Sequence, residues 1–67
     1  MEISARNQLA GTVKAAALGG IVAEVTVDMG GQEIVSIITR GSAERLDLRP
    51  GDRVTIIIKA TEVMFGK

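Results

Sequence analysis

Apolar and polar residues alternate along most of this chain with a period of two, the spacing of strands, whose side chains point to opposite faces in turn. Over residues 21–29, IVAEVTVDM sets Ile21, Ala23, Val25, Val27 and Met29 on one face and Val22, Glu24, Thr26 and Asp28 on the other. That pattern predicts a half-buried strand. The Gly30–Gly31 pair after it predicts a two-residue hairpin, since both turn positions need positive φ, and QEIVSIIT, residues 32–39, returns as the partner. The period breaks at RGSAERLDL, where Ser42 and the helix formers Ala43, Glu44, Arg45 and Leu46 predict one or two helical turns beginning at Ser42. Pro50 and Gly51 supply the second and third positions of a turn. RVTIIIKA predicts another strand and EVMF, residues 62–65, a short last one. The opening EISARNQLAGTV predicts the first, with Ser4 and Arg6 on one face and Asn7 on the other.

Five strands with a short helical insertion between the third and fourth is the order of an all-β, five-stranded OB-like Greek-key barrel. The expected organisation is a single domain over residues 1–67, without internal repeat, linker or low-complexity segment. Two strands are apolar on both faces: Ile34 and Ile38 oppose Val35 and Ile37, while Val54, Ile56 and Ile58 oppose Thr55 and Ile57. A lone barrel has one interior, so the second face predicts either cover by the helix or a terminal strand, or association with copies of the same chain.

Composition sharpens this picture by exclusion. A domain of 67 residues buries only about 60% of the surface its unfolded chain exposes, and such small domains usually add disulfides, metals or association. With no cysteine and no histidine, disulfides, thiolate sites and the commonest metal ligand and general base are all missing, which leaves association. Eight basic residues balance eight acidic ones, against a broad phosphate-tracking surface. The start MEISAR has no basic n-region or apolar h-region, and no apolar run reaches the roughly 18 residues of a spanning helix. The expected setting is cytoplasmic, with no membrane and no nucleic acid as partner.

A set of polar residues collects at strand ends. Ser4 and Arg6 share a face, Lys59 ends TIIIK, and Thr39 ends SIIT just before Gly41 and Ser42. Charge-assisted donors from Arg and Lys, neutral hydroxyls and backbone N–H groups at a helix start together suit a tetrahedral oxyanion. Each residue also has a purely structural reading: Ser42 as an N-cap, Thr39 as a β-branched strand residue, Lys59 as an edge-protecting charge, Arg6 as a surface cation. Asn7 points away from the set and reads as structural, its amide satisfying backbone groups of a neighbouring loop or subunit.

SARNQLAGTV, GGIVAEVTV, IVSIIT and LDLRPGDRVTIIIKATEVM together resemble the molbindin family, the Mop-type or TOBE domain, over nearly the whole chain. The pairing of SARNxLxGxV with IKATEVM carries the resemblance. It implies an OB-like barrel that associates as a hexamer, a trimer of dimers, and binds molybdate or tungstate between subunits for storage and homeostasis of molybdenum, with no organic cofactor. Carried over by position, the anion contacts fall on Ser4, Arg6 and Lys59, with Thr39 and Ser42 from the facing subunit. The residue after the lysine is often serine in the family and is Ala60 here, which leaves the backbone N–H of Ala60 as the donor. A lost neutral donor is worth about 0.5–1.5 kcal/mol.

Two other classes remain in view. LDLRPGDRVTI also looks like the helix-to-strand turn of AbrB-like swapped-hairpin DNA-binding dimers, although the balanced charge and the lack of their proline-bearing first strand stand against it. A single-strand-binding OB fold lacks a stacking platform, Phe65 being the only aromatic. Catalysis is the least supported, since no nucleophile has an adjacent base. The self-contained length of the chain reads as an independent storage protein rather than a detached regulatory domain.

Overall fold

The computed structural model describes all of residues 1–67. Its elements in chain order are β1 (Asn7–Leu18), β2 (Val22–Asp28), β3 (Glu33–Thr39), α1 (Arg40–Leu46), β4 (Arg53–Ile58) and a 3-10 turn at Ala60–Glu62. The strands form one antiparallel sheet in the order β3-β2-β1-β4. β1 is the longest strand and serves two partners. Its first half, Asn7–Thr12, pairs with β4, and its second half, Thr12–Leu18, pairs with β2. The register shifts between Val13 and Ala15. Such a bulge bends a strand and raises its twist, and here it curls the sheet where β1 changes partners.

The alternation read from the sequence holds within β2, where Ala23, Val25 and Val27 are buried and the two valines pack with Val13 of β1, but Ile21, expected on the same face, lies ahead of the strand and is 83% exposed. Gly30 and Gly31 both have positive φ, and the Met29 N–H donates to the Gln32 carbonyl at 2.7 Å, closing the β2–β3 hairpin. Gly51 has φ 95° behind Pro50, and the Asp52 N–H reaches the Arg49 carbonyl at 3.1 Å, so RPGD makes its turn as expected.

Three boundaries differ from the expectations. Ser4 and Arg6 lie ahead of β1 rather than in it. The ladder ends at Asn7 because its side-chain amide takes the Ile58 carbonyl at 3.2 Å, and Gln8 turns back on the Ala5 carbonyl at 2.6 Å. The helix begins at Arg40, with Thr39 as N-cap instead of Ser42, because the Thr39 hydroxyl oxygen accepts the Ser42 N–H at 3.1 Å. EVMF forms no strand within its own chain: the Glu62 N–H closes the 3-10 turn on the Lys59 carbonyl at 2.9 Å, and residues 63–67 make no hydrogen bond. The sheet therefore has four strands, and β3 and β4 are both open edges.

Gly11 marks where β1 presses on β2. A Cβ there would stand 2.5 Å from Val27 Cγ1 and 3.1 Å from the Asp28 carbonyl oxygen. Val27 is buried and β-branched, so neither atom yields easily. Gly11→Ala is expected to destabilise the fold by about 1–3 kcal/mol, the usual range for overpacking. Thermal unfolding of the variant checks this; a melting temperature equal to the parent's would show that the two strands can separate without cost.

Only six of the 67 residues are buried. Val35 and Ile37, on the outer face of β3, are 58% and 59% exposed. Of the two alternatives that the two-faced strands left open, cover within the subunit is not what the single chain shows: neither α1 nor the tail buries Val35 and Ile37.

Candidate oxyanion site

The site is built outward from the Asn7–Ile58 pair that ends the β1–β4 ladder. Arg6 precedes Asn7 and Lys59 follows Ile58, so antiparallel register brings these two cations to the same end of the sheet although they lie 53 positions apart in sequence. The Asn7 amide on the Ile58 carbonyl fastens the two backbones at that point. Asn7 thus serves its own chain's β4, and it positions the residues on either side. Reading the sequence assigned Asn7 a backbone-satisfying role but could not name the strand it would hold.

Three of the eight cations are paired, and of the five that are not (Arg6, Arg45, Arg53, Lys59 and Lys67) register brings Arg6 and Lys59 to one end of the sheet. Lys14 is paired with Glu33, Arg40 with Glu44 at 3.5 Å and Arg49 with Asp47 at 3.0 Å. The hydrogen bond and charge of Glu33 raise the Lys14 pKa, and those of Asp47 raise that of Arg49. Arg6 and Lys59 have no carboxylate partner, and both are exposed. Two cations at one end of a sheet without a counter-charge repel each other, and an anion between them relieves this. Ser4, also exposed, lies two residues before Arg6, and Ala60 opens the 3-10 turn that Lys59 caps.

Thr39 and Ser42 stand elsewhere. Thr39 pairs with Val22, whose neighbour Ala23 pairs with Leu18, at the end of β1 opposite Asn7. Within one chain, Ser4, Arg6, Lys59 and Ala60 gather at one end of the sheet, and Thr39 and Ser42 at the other. At Thr39 the hydroxyl both accepts the Ser42 N–H and donates to Ser42 Oγ at 2.8 Å. The Ser42 hydroxyl proton then has no acceptor in the chain and is free to donate outward. The seven-residue helix offers little else, because its capping hydroxyl already occupies the Ser42 N–H. Arg40 anchors it by donating to the Gly19 carbonyl at 3.0 Å.

The curled antiparallel sheet with one short helix defines the class of the molecule as a small OB-like β-module. More specifically, the TOBE domain model matches residues 3–65, and the chain belongs to that family. It is 48% identical over 66 residues to molybdenum-pterin-binding protein 1 of Clostridium pasteurianum, covering 97% of both chains. The structure of a molybdate-binding protein from Sporomusa ovata superimposes with a TM-score of 0.94, at 46% identity and over 100% of both chains. That of ModG, a cytoplasmic molybdate-binding protein crystallised with molybdate bound, gives a TM-score of 0.84 at 44% identity, over 90% of this chain and 43% of that one. These likenesses give no support to the swapped-hairpin DNA-binding alternative.

Proposed function

We propose that this chain binds molybdate, or its near-isosteric congener tungstate, and holds the anion between subunits for cytoplasmic storage and homeostasis of molybdenum. The observation that carries the reading is the pair of uncompensated cations, Arg6 and Lys59, set together by register in a chain similar over its full length to molybdate-binding proteins. In the proposed site Arg6 and Lys59 donate charge-assisted hydrogen bonds to the dianion. Ser4 and the Ala60 N–H add neutral donors, and Thr39 and Ser42 of a facing subunit close the other side. The separation of the two groups along β1 supports a site that needs two chains. The molecule then acts by binding, with no bond made or broken.

A tetrahedral anion fits these donors better than an organic pterin, whose flat ring would want an aromatic face; Phe65, the one aromatic, is 97% exposed on the tail. Association as a hexamer, a trimer of dimers, follows the same reading and would cover the apolar faces left open. Native mass spectrometry with and without molybdate tests both parts together. The expected result is a hexamer whose mass rises by whole molybdate increments, with no increment from sulfate at equal concentration. A protein that takes up no molybdate or tungstate would overturn the proposal.

A further inference from the structure

Two neighbouring side-chain amides fasten the backbone on both halves of the oxyanion site, and neither is among the residues expected to touch the anion. Asn7 Nδ2 donates to the Ile58 carbonyl at 3.2 Å, and Gln8 Nε2 donates to the Ala5 carbonyl at 2.6 Å. Both partners are acceptors, so each amide must present its NH₂ group, which fixes the way it points. The two carbonyls belong to the Ala5–Arg6 and Ile58–Lys59 peptide groups. Each amide therefore pins the planar unit that leads into a cationic donor.

These fastenings act on stretches that no ladder holds. β1 begins at Asn7 and β4 ends at Ile58, so Ser4–Arg6 and Lys59–Ala60 both lie beyond the last strand pair. The backbone bends at Ser4 and Arg6, and Gln8 closes that bend from its side chain. On the other half the Glu62 N–H takes the Lys59 carbonyl at 2.9 Å, so Lys59 is held in front by the 3-10 turn and behind by Asn7. Alternation sends Asn7 and Gln8 to opposite faces, so the start of β1 grips both stretches at once. Folding needs the Gln8 bond little, because it is exposed and water would serve the Ala5 carbonyl nearly as well.

We propose that Asn7 and Gln8 are positioning residues that set the spacing between the Ser4–Arg6 and Lys59–Ala60 donors, and through it the selectivity of the site for molybdate and tungstate over sulfate. The inference rests on the oxyanion site proposed above and adds the residues that fix its dimensions. All three anions are tetrahedral dianions at neutral pH and differ chiefly in size, so charge alone does not separate them. Donors are only as well placed as the shell that supports them. A cradle held at the width of the larger anion leaves sulfate short of its contacts, whereas a slack one closes on either. Fixing the backbone before the anion arrives also removes an ordering cost from binding.

Asn7→Leu and Gln8→Met keep the size of each side chain and remove its donor without adding charge. Calorimetric titration gives the molybdate affinity of parent and variants, and displacement of bound molybdate by sulfate gives that for the smaller anion. Each variant is expected to bind molybdate about two- to tenfold more weakly, the worth of one neutral hydrogen bond. Sulfate is weakened less or gains, so the molybdate-to-sulfate ratio falls. A purely structural role predicts otherwise: both anions weakened by one factor, or a lower anion-free melting temperature with both affinities intact. A variant that keeps the parent's ratio strikes its residue from the role, and two such variants overturn the proposal while the site itself stands. Should Asn7→Leu not fold, Gln8→Met decides alone, since its hydrogen bond is exposed. A parent that binds no molybdate removes the site and this proposal together.

Discussion

Replacing Lys59 or Arg6 with glutamine is expected to weaken molybdate binding ten- to a hundredfold or more while leaving the anion-free melting temperature level or slightly raised. The size follows from the donors, because each charge-assisted hydrogen bond to a dianion in a partly desolvated site contributes on the order of 1.5–3 kcal/mol. At about 1.4 kcal/mol per factor of ten, either loss is large against any change in the fold. The sign of the stability effect follows from the pairing. Neither cation has a carboxylate partner, and register brings both to one end of the sheet, so in the proposed site removing one is expected to relieve repulsion when no anion is bound. Structural cations would do the opposite. Calorimetric titration of parent and variants, with thermal melts at zero and saturating molybdate, checks both halves. Molybdate should raise the parent's melting temperature far more than either variant's. Equal affinity in all three proteins, or variants that unfold without ligand, would mean that Arg6 and Lys59 serve the fold alone.

The second large effect concerns the outer face of β3. Ile37→Lys is expected to break the assembly without unfolding the chain. Ile37 is 59% exposed in the single subunit and directly opposite Glu24 on β2, so a lysine there gains a cross-strand partner of opposite charge. An intact subunit is therefore expected. At a subunit interface the same charge would be stripped of water against Val35 and its surroundings. Desolvating that lysine together with Glu24 costs more than their attraction returns, about 1–4 kcal/mol relative to well-packed apolar residues, which raises the concentration needed for assembly by about one to three powers of ten. Sedimentation velocity at micromolar concentration should show smaller species for the variant and a hexamer for the parent. A variant that still assembles fully would place β3's outer face in solvent within the assembly and send the search for the contact to other exposed apolar residues, such as Val22 and Leu46.

How much of this was legible in the amino-acid sequence depended on the range of the interaction involved. The inward face of β2, the Gly30–Gly31 hairpin and the Pro50–Gly51 turn were all readable, because each is governed by side-chain alternation or by backbone freedom within a few residues. So was the surplus of apolar face, which the exposed Val35 and Ile37 bear out. Of the candidate site, the residue types and their places near strand ends were visible, and the anion they suit followed from charge and resemblance. Local competition blurred the boundaries. The Asn7 amide takes the Ile58 carbonyl and the Thr39 hydroxyl takes the Ser42 N–H, so β1 starts at Asn7 and α1 is capped by Thr39 rather than Ser42.

Tertiary structure alone decided what meets what. Arg6 and Lys59 come to one end of the sheet only because β1 pairs antiparallel with β4 in one register, and a slip of one residue would turn each strand's side chains to the opposite face. Thr39 and Ser42 are remote from them because β3 lies at the far edge of the sheet and pairs near the other end of β1. The need for a glycine at position 11 comes from Val27, sixteen residues away, and no local pattern announces it. The fate of EVMF is the sharpest case. Its composition is that of a strand, and the sequence by itself determined that much. Strand pairing, however, requires an unpaired edge within reach, and only the folded chain shows that the tail makes no hydrogen bond to either of its own edges and that an apolar groove lined by β3 and β4 lies open between them.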